Sequence, residues 1–163
     1  MRIINLIHTV FSVLALFSGA FVLLNIKGTR LHKRIGYLYV LSMLILLLTS
    51  FLIFDLFAGF GPYHVLSIVS LVTLLLSMYF PLFKRTYRGW VLQHYMWMSY
   101  SYVGLLMAGG SHLFALVPHW PIWLSISLFW VLPYLLGSIL IFTRRKRILQ
   151  QLKMRSGLDI IVR

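Results

Sequence analysis

Residues 4–25, INLIHTVFSVLALFSGAFVLLN, run directly into residues 26–36, IKGTRLHKRIG. A helix of about 20 apolar residues crosses a hydrocarbon core about 30 Å thick, so the first segment has the length and chemistry of a transmembrane span. The second holds Lys27, Arg30, Lys33 and Arg34, a cluster that belongs in water beside the membrane. An apolar run closed by a basic loop is the unit from which the rest of the chain is read.

Further apolar runs cover about 37–58, 65–83, 94–117 and 122–143, and the joints between them alternate in charge. GFGPYH (59–64) and PHWP (118–121) contain no Lys or Arg, whereas KRTYRGW (84–90) carries Lys84, Arg85 and Arg88. The tail opens with Arg144, Arg145, Lys146 and Arg147. Of 15 Lys and Arg residues, four fall in the first loop, three in the third and seven in the tail, leaving Arg2 alone on the opposite side. The positive-inside rule then places the N-terminus outside and the tail in the cytoplasm. Arg2 before an apolar run also suits a signal peptide, but the run is too long and has no clear small-residue cleavage site. The expectation is an all-α integral membrane bundle of five transmembrane helices (1–143) with a basic cytoplasmic tail (144–163).

Composition agrees. The chain has 163 residues, 61% hydrophobic and 10% charged, and a mean hydropathy of +0.93, which a soluble domain with a polar surface does not reach. The net charge of +13 would suggest nucleic acid in a soluble protein, but cations confined to short loops indicate membrane orientation instead. With no cysteine, disulfides, thiolate nucleophiles and iron–sulfur clusters are excluded. Only two carboxylates exist, Asp55 and Asp159, and nucleotide loops, Ser-based triads and HExxH motifs are absent, which argues against conventional hydrolase chemistry. Trp90, Trp97, Trp120, Trp123, Tyr37, Tyr39, Tyr63 and Tyr87 sit near expected helix ends, as interfacial aromatics do.

Two helices carry small or polar residues at helical spacing. In helix 1 these are Asn5, His8, Ser12, Ala15 and Gly19; in helix 4 they are Ser101, Gly104, Ala108, Ser111 and His112. Such stripes let a second backbone approach closely, and ordinary helix packing is their plainest meaning. They also lead to an expected contact between helices 1 and 4, with His8 and His112 at similar depth.

The histidines divide by depth. His94 and His112 are 18 residues apart, about five turns and roughly 27 Å along one face of helix 4, so they serve different sites. His32 shares the inner depth of His94, and His8 the outer depth of His112. Paired imidazoles near each boundary are what a dihaem b-type cytochrome requires, with Arg30, Lys33 and Arg34 available for propionates. On the outer side Asp55, with His8 and His112, makes a two-histidine, one-carboxylate set suited to zinc. A buried charge such as Asp55 needs a partner. His64 and His119, placed in loops, need no special explanation, and the basic tail with Ile148, Leu149 and Leu152 suits anionic lipid headgroups or a topology anchor.

His8, the segment LHKRIGYLYV (31–40) and the segment QHYMWMSYSYVGLL (93–106) together resemble the DUF2306 family of small bacterial multi-pass membrane proteins. In that pattern one helix opens with His, a basic residue, Gly and Tyr, matching His32, Lys33, Gly36 and Tyr39. A later helix opens with His and Trp-Met, matching His94, Trp97 and Met98. The resemblance spans about residues 8–106 and implies a bacterial plasma-membrane location without implying a reaction. Members of that family tend to carry an acidic residue near the end of helix 4, where this chain has His112, a departure that an acid–histidine site survives better than a bis-histidine haem. HKRIG is also similar to short His-basic-x-x-Gly segments of haem A synthases and ferric reductases.

Three functions follow as expectations. The first is binding of haem b or a metal ion by His8, His32, His94 and His112 in a redox or assembly role, with a redox or membrane-protein partner. The second is a zinc-dependent membrane hydrolase using His8, Asp55 and His112. The third is proton or cation transport, or a non-catalytic scaffold.

Overall fold

A computed structural model describes residues 2–53, 59–87, 89–116 and 119–156. The described residues form helices and no strand: α1 (Arg2–Leu24), α2 (Arg30–Ser50), α3 (Pro62–Phe83), α4 (Trp90–Ser111), α5 (Ile122–Ile126) and α6 (Leu132–Ser156). A 3-10 turn, His112–Leu116, follows α4, and a π turn, Ser127–Val131, joins α5 to α6. Among the described residues, four segments are long and apolar enough to cross a membrane: Arg2–Leu24, Arg30–Ser50, Tyr63–Phe83 and Ile122–Gln150. The 22-residue α4 is as long but carries Gln93, His94 and five serines or tyrosines in its first thirteen residues. The molecule is a helical membrane protein with four to five spans.

The helix ends show which local signals decide. α2 begins at Arg30, seven residues before the apolar run, because Thr29 caps it: the His32 N–H donates to the Thr29 hydroxyl at 3.0 Å. Gly28, at φ 78°, supplies the left-handed residue that ends the turn after α1. Lys27 reaches back, its Nζ donating to the carbonyls of Val22 (2.6 Å) and Leu23 (2.7 Å), a cation on the negative end of the α1 dipole. Much of the expected basic loop is therefore helix, with Arg30, Lys33 and Arg34 exposed on the opening turns of α2. Pro62 opens α3, where its missing N–H has no helical partner to lose.

The chain divides into two compact units, Met1–Leu74 and Leu75–Arg163. In the first, α1 and α2 pack as a hairpin. The buried residues of α1 are Ala15, Ser18, Gly19 and Val22; those of α2 are Tyr39, Ser42, Met43, Leu46 and Leu47. Lipid chains are as apolar as leucine, so close backbone approach and van der Waals fit hold such a pair. Part of the helix 1 stripe is thus a packing seam, while Asn5 is exposed. Tyr39, expected at the interface, is only 1% exposed and belongs to this seam. Tyr37, Tyr87, Trp120 and Trp123 are exposed, as interfacial rings should be. The Ser50 and Ser67 hydroxyls, 2.7 Å apart, tie α2 to the first half of α3.

In the second unit α4 packs on α6 and on the π turn. A Cβ on Gly110 would lie 3.1 Å from the Phe129 carbonyl oxygen, and one on Gly137 would lie 2.5 Å from a Val103 methyl. Polar bonds line the same seam: Trp130 Nε1 donates to the Ser111 hydroxyl (2.7 Å), and the Tyr95 hydroxyl donates to the Ile141 carbonyl (3.1 Å). The expected interruption at Pro133 takes the form of the π turn, whose Leu132 N–H donates to the Ser127 carbonyl five residues back. Widening the helix by one residue makes room for a proline ring that would strike the preceding turn. Beyond Gly137 neither Gly nor Pro occurs before Ser156, and the helix continues through Arg144–Arg147.

These contacts make Gly137 and Gly109 opposite cases, since a Cβ at Gly109 meets no described atom within 4 Å. Gly137→Val should cost about 1–3 kcal/mol through overpacking against the stiff Val103 side chain. Gly109→Ala should be neutral or stabilise slightly. Thermal unfolding in detergent, followed by tryptophan fluorescence, reads both.

Candidate functional site

α3 contains a proline, Pro81, inside its span. Proline has no N–H, so it cannot give the carbonyl four residues back, that of Ser77, its usual helical hydrogen bond. His94 supplies one: its Nδ1 lies 2.7 Å from the Ser77 carbonyl oxygen. A carbonyl oxygen only accepts, so Nδ1 carries the proton and, in the neutral ring, Nε2 carries the lone pair. This is how metal-bound histidines are commonly oriented, with the second nitrogen fixed by a backbone carbonyl. Helix α4 places the ring by putting His94 one turn inside its start at Trp90.

His8 has a related arrangement in the other unit. Its Nδ1 lies 3.1 Å from the Thr49 hydroxyl, bridging the N-terminal part of α1 and the C-terminal part of α2. The Thr49 hydroxyl donates its proton to its own helix, with the carbonyls of Ile45 and Leu46 both at 2.9 Å. With the proton so placed, its oxygen accepts from Nδ1–H, and the lone pair of the neutral imidazole is then on Nε2.

His32 is half-buried in the opening turn of α2, and His112 is exposed where α4 passes into the 3-10 turn. The expected inner pair, His32 and His94, takes one residue from each unit, and so does the outer pair, His8 and His112. Asp55 lies outside the described residues, as does Asp159. Among the described residues no three of His, Cys, Asp and Glu gather as a metal cage requires. A bis-histidine haem asks less, one imidazole on each face of the iron. Arg144, Arg145, Lys146 and Arg147 are all exposed on α6.

His64 is the residue that sequence reasoning undervalued. It lies inside the opening turn of α3, only 5% exposed, and its Nδ1 accepts the Gly61 N–H at 3.1 Å. Phe60 stacks on the ring at 5.1 Å and Phe51 approaches at 6.5 Å. The His64 N–H donates to the Gly61 carbonyl at 3.0 Å, so this side chain acts as the third residue of a capping box does, reaching back to the capping N–H. The spacing Gly61-Pro62-x-His64 was the available signal. His119, in contrast, is exposed.

The long apolar helices and the large apolar side chains they leave exposed define a multi-pass membrane protein. The chain belongs to the DUF2306 family: the family described as "Predicted membrane protein (DUF2306)" matches residues 5–143. That match takes in every long helix up to Thr143, well beyond the two motifs that carried the resemblance. No curated protein and no solved structure matches the chain.

His64→Ala should lower stability by about 1–2 kcal/mol through loss of the cap and the stacked ring. His119→Ala should change it by less than about 0.5 kcal/mol. Melting curves of the two variants side by side check the assignment.

Proposed function

We propose that this protein binds haem b, or a metal ion in its place, through intramembrane imidazoles and serves a redox or assembly role in the bacterial plasma membrane. One observation carries the reading: the His94 ring is held by the Ser77 carbonyl with its proton on Nδ1, the state in which Nε2 binds iron or another metal. His8 is prepared in the same way by Thr49. His32 and His112 are the other candidate ligands, and Arg30, Lys33 and Arg34, exposed near His32, suit propionates or anionic headgroups.

In this reading the N-terminus is outside and α6 emerges into the cytoplasm, where Arg144, Arg145, Lys146 and Arg147 meet anionic lipid. Each such cation contributes about 1 kcal/mol near a charged surface. The cysteine-free chain makes this testable with single replacements. Thr86→Cys should be shielded from a membrane-impermeant maleimide in intact cells and His119→Cys should be labelled; the reverse pattern inverts the topology.

Protein purified from haem-supplied cells should show a Soret band, and His94→Ala should reduce haem retention by about 10-fold or more. A wild-type spectrum with no Soret band removes haem from the proposal, and elemental analysis of the same sample then decides whether a metal ion takes its place.

A further inference from the structure

His94 and Met98 are four residues apart on α4, one turn and about 40° of rotation, and so share a face of the helix. Both are turned to the same residue of α3. His94 Nδ1 lies 2.7 Å from the Ser77 carbonyl oxygen, and the Ser77 hydroxyl lies 3.8 Å from the Met98 sulfur. Ser77 is 0% exposed and Met98 7%, so the imidazole and the thioether meet the second half of α3 in an apolar interior. Long helical side chains lean toward the N-terminus over the turn before them, which carries the Met98 sulfur toward His94.

We propose that His94 Nε2 and Met98 Sδ together hold a monovalent soft cation, Cu(I). The proposal rests on the reading that His94 is a ligand, and it names the ion and the second donor. A neutral thioether beside a neutral imidazole is a soft pair, and softness of this kind selects Cu(I) over zinc, magnesium or calcium. Charge points the same way. The self-energy of an ion in a low-dielectric interior grows with the square of its charge, so a divalent ion costs about four times as much to bury as a monovalent one. Two donors each about 2.0–2.3 Å from a metal stand within roughly 4.5 Å of one another, a span that side chains one helical turn apart can close. Haem iron on Nε2 would occupy the same nitrogen, so the two ligands exclude each other.

The test is an anaerobic titration of haem-free, full-length protein in detergent with Cu(I), buffered by the chromogenic chelator bicinchoninate. The expected result is one Cu(I) per chain, with both sulfur and nitrogen neighbours in its X-ray absorption spectrum. Met98→Leu, nearly the same in volume, should weaken Cu(I) binding by about 10-fold or more while leaving haem retention intact. Met96→Leu, two residues away on the other side of α4, should leave both unchanged. His94→Ala should abolish copper binding and reduce haem retention. Cu(I) binding by Met98→Leu equal to wild type, or copper without a sulfur neighbour, overturns the proposal. Haem bound through His94 with no copper uptake overturns it and leaves the haem reading standing; uptake of neither removes both.

Discussion

A proline in a membrane helix withholds one N–H, and in hydrocarbon no water replaces it. In α3 the carbonyl affected is that of Ser77, and the hydrogen bond comes from His94 on α4, at 2.7 Å. This bond does three things. It lets Pro81 remain inside an apolar helix, it joins α4 to the second half of α3, and it decides which nitrogen of His94 keeps its lone pair. Without it the histidine would be an ordinary polar residue near a helix end. With it the ring is oriented and in one tautomer, which is why the functional reading starts there.

Elsewhere the same constraint is met in other ways. Pro133 is accommodated by a π turn, with the Leu132 N–H bonded to Ser127. Lys27 closes carbonyls at the end of α1, and Thr29 and His64 serve the N-terminal turns of α2 and α3. Small residues let helices approach: Ala15 and Gly19 belong to the seam of the first unit, and Gly110 and Gly137 to that of the second. Large apolar side chains such as Phe17 and Leu24 are left on the surface, 74% and 77% exposed, which suits lipid as solvent.

The apolar runs were legible because hydropathy reports directly on a lipid solvent, and the alternation of basic and neutral joints marked the breaks. Helix ends were less legible, since Thr29 and Gly28 act through hydrogen bonds and backbone angles that charge counting does not register. Tyr39 was misplaced for another reason: its burial depends on a neighbour that periodicity does not name. The four histidines stand out in the sequence as polar groups in or beside apolar runs. Their partners were harder. Pro81 and Ser77 are four residues apart, so a carbonyl in need of a donor was readable in α3, but only packing shows that His94 is the donor. Thr49 as the partner of His8 carries no local signal at all.

The central claim is that Pro81, through Ser77, sets the His94 tautomer. Solid-state NMR of ¹⁵N-histidine protein in lipid, with His94 assigned by its loss in His94→Gln, measures this directly. The account predicts protonated Nδ1 and unprotonated Nε2 at His94 in the unliganded wild type. In Pro81→Ala, where an N–H returns to compete for the Ser77 carbonyl, the Nε2–H form should appear. An Nε2–H tautomer in the wild type, or a His94 signal indifferent to Pro81→Ala, would contradict it.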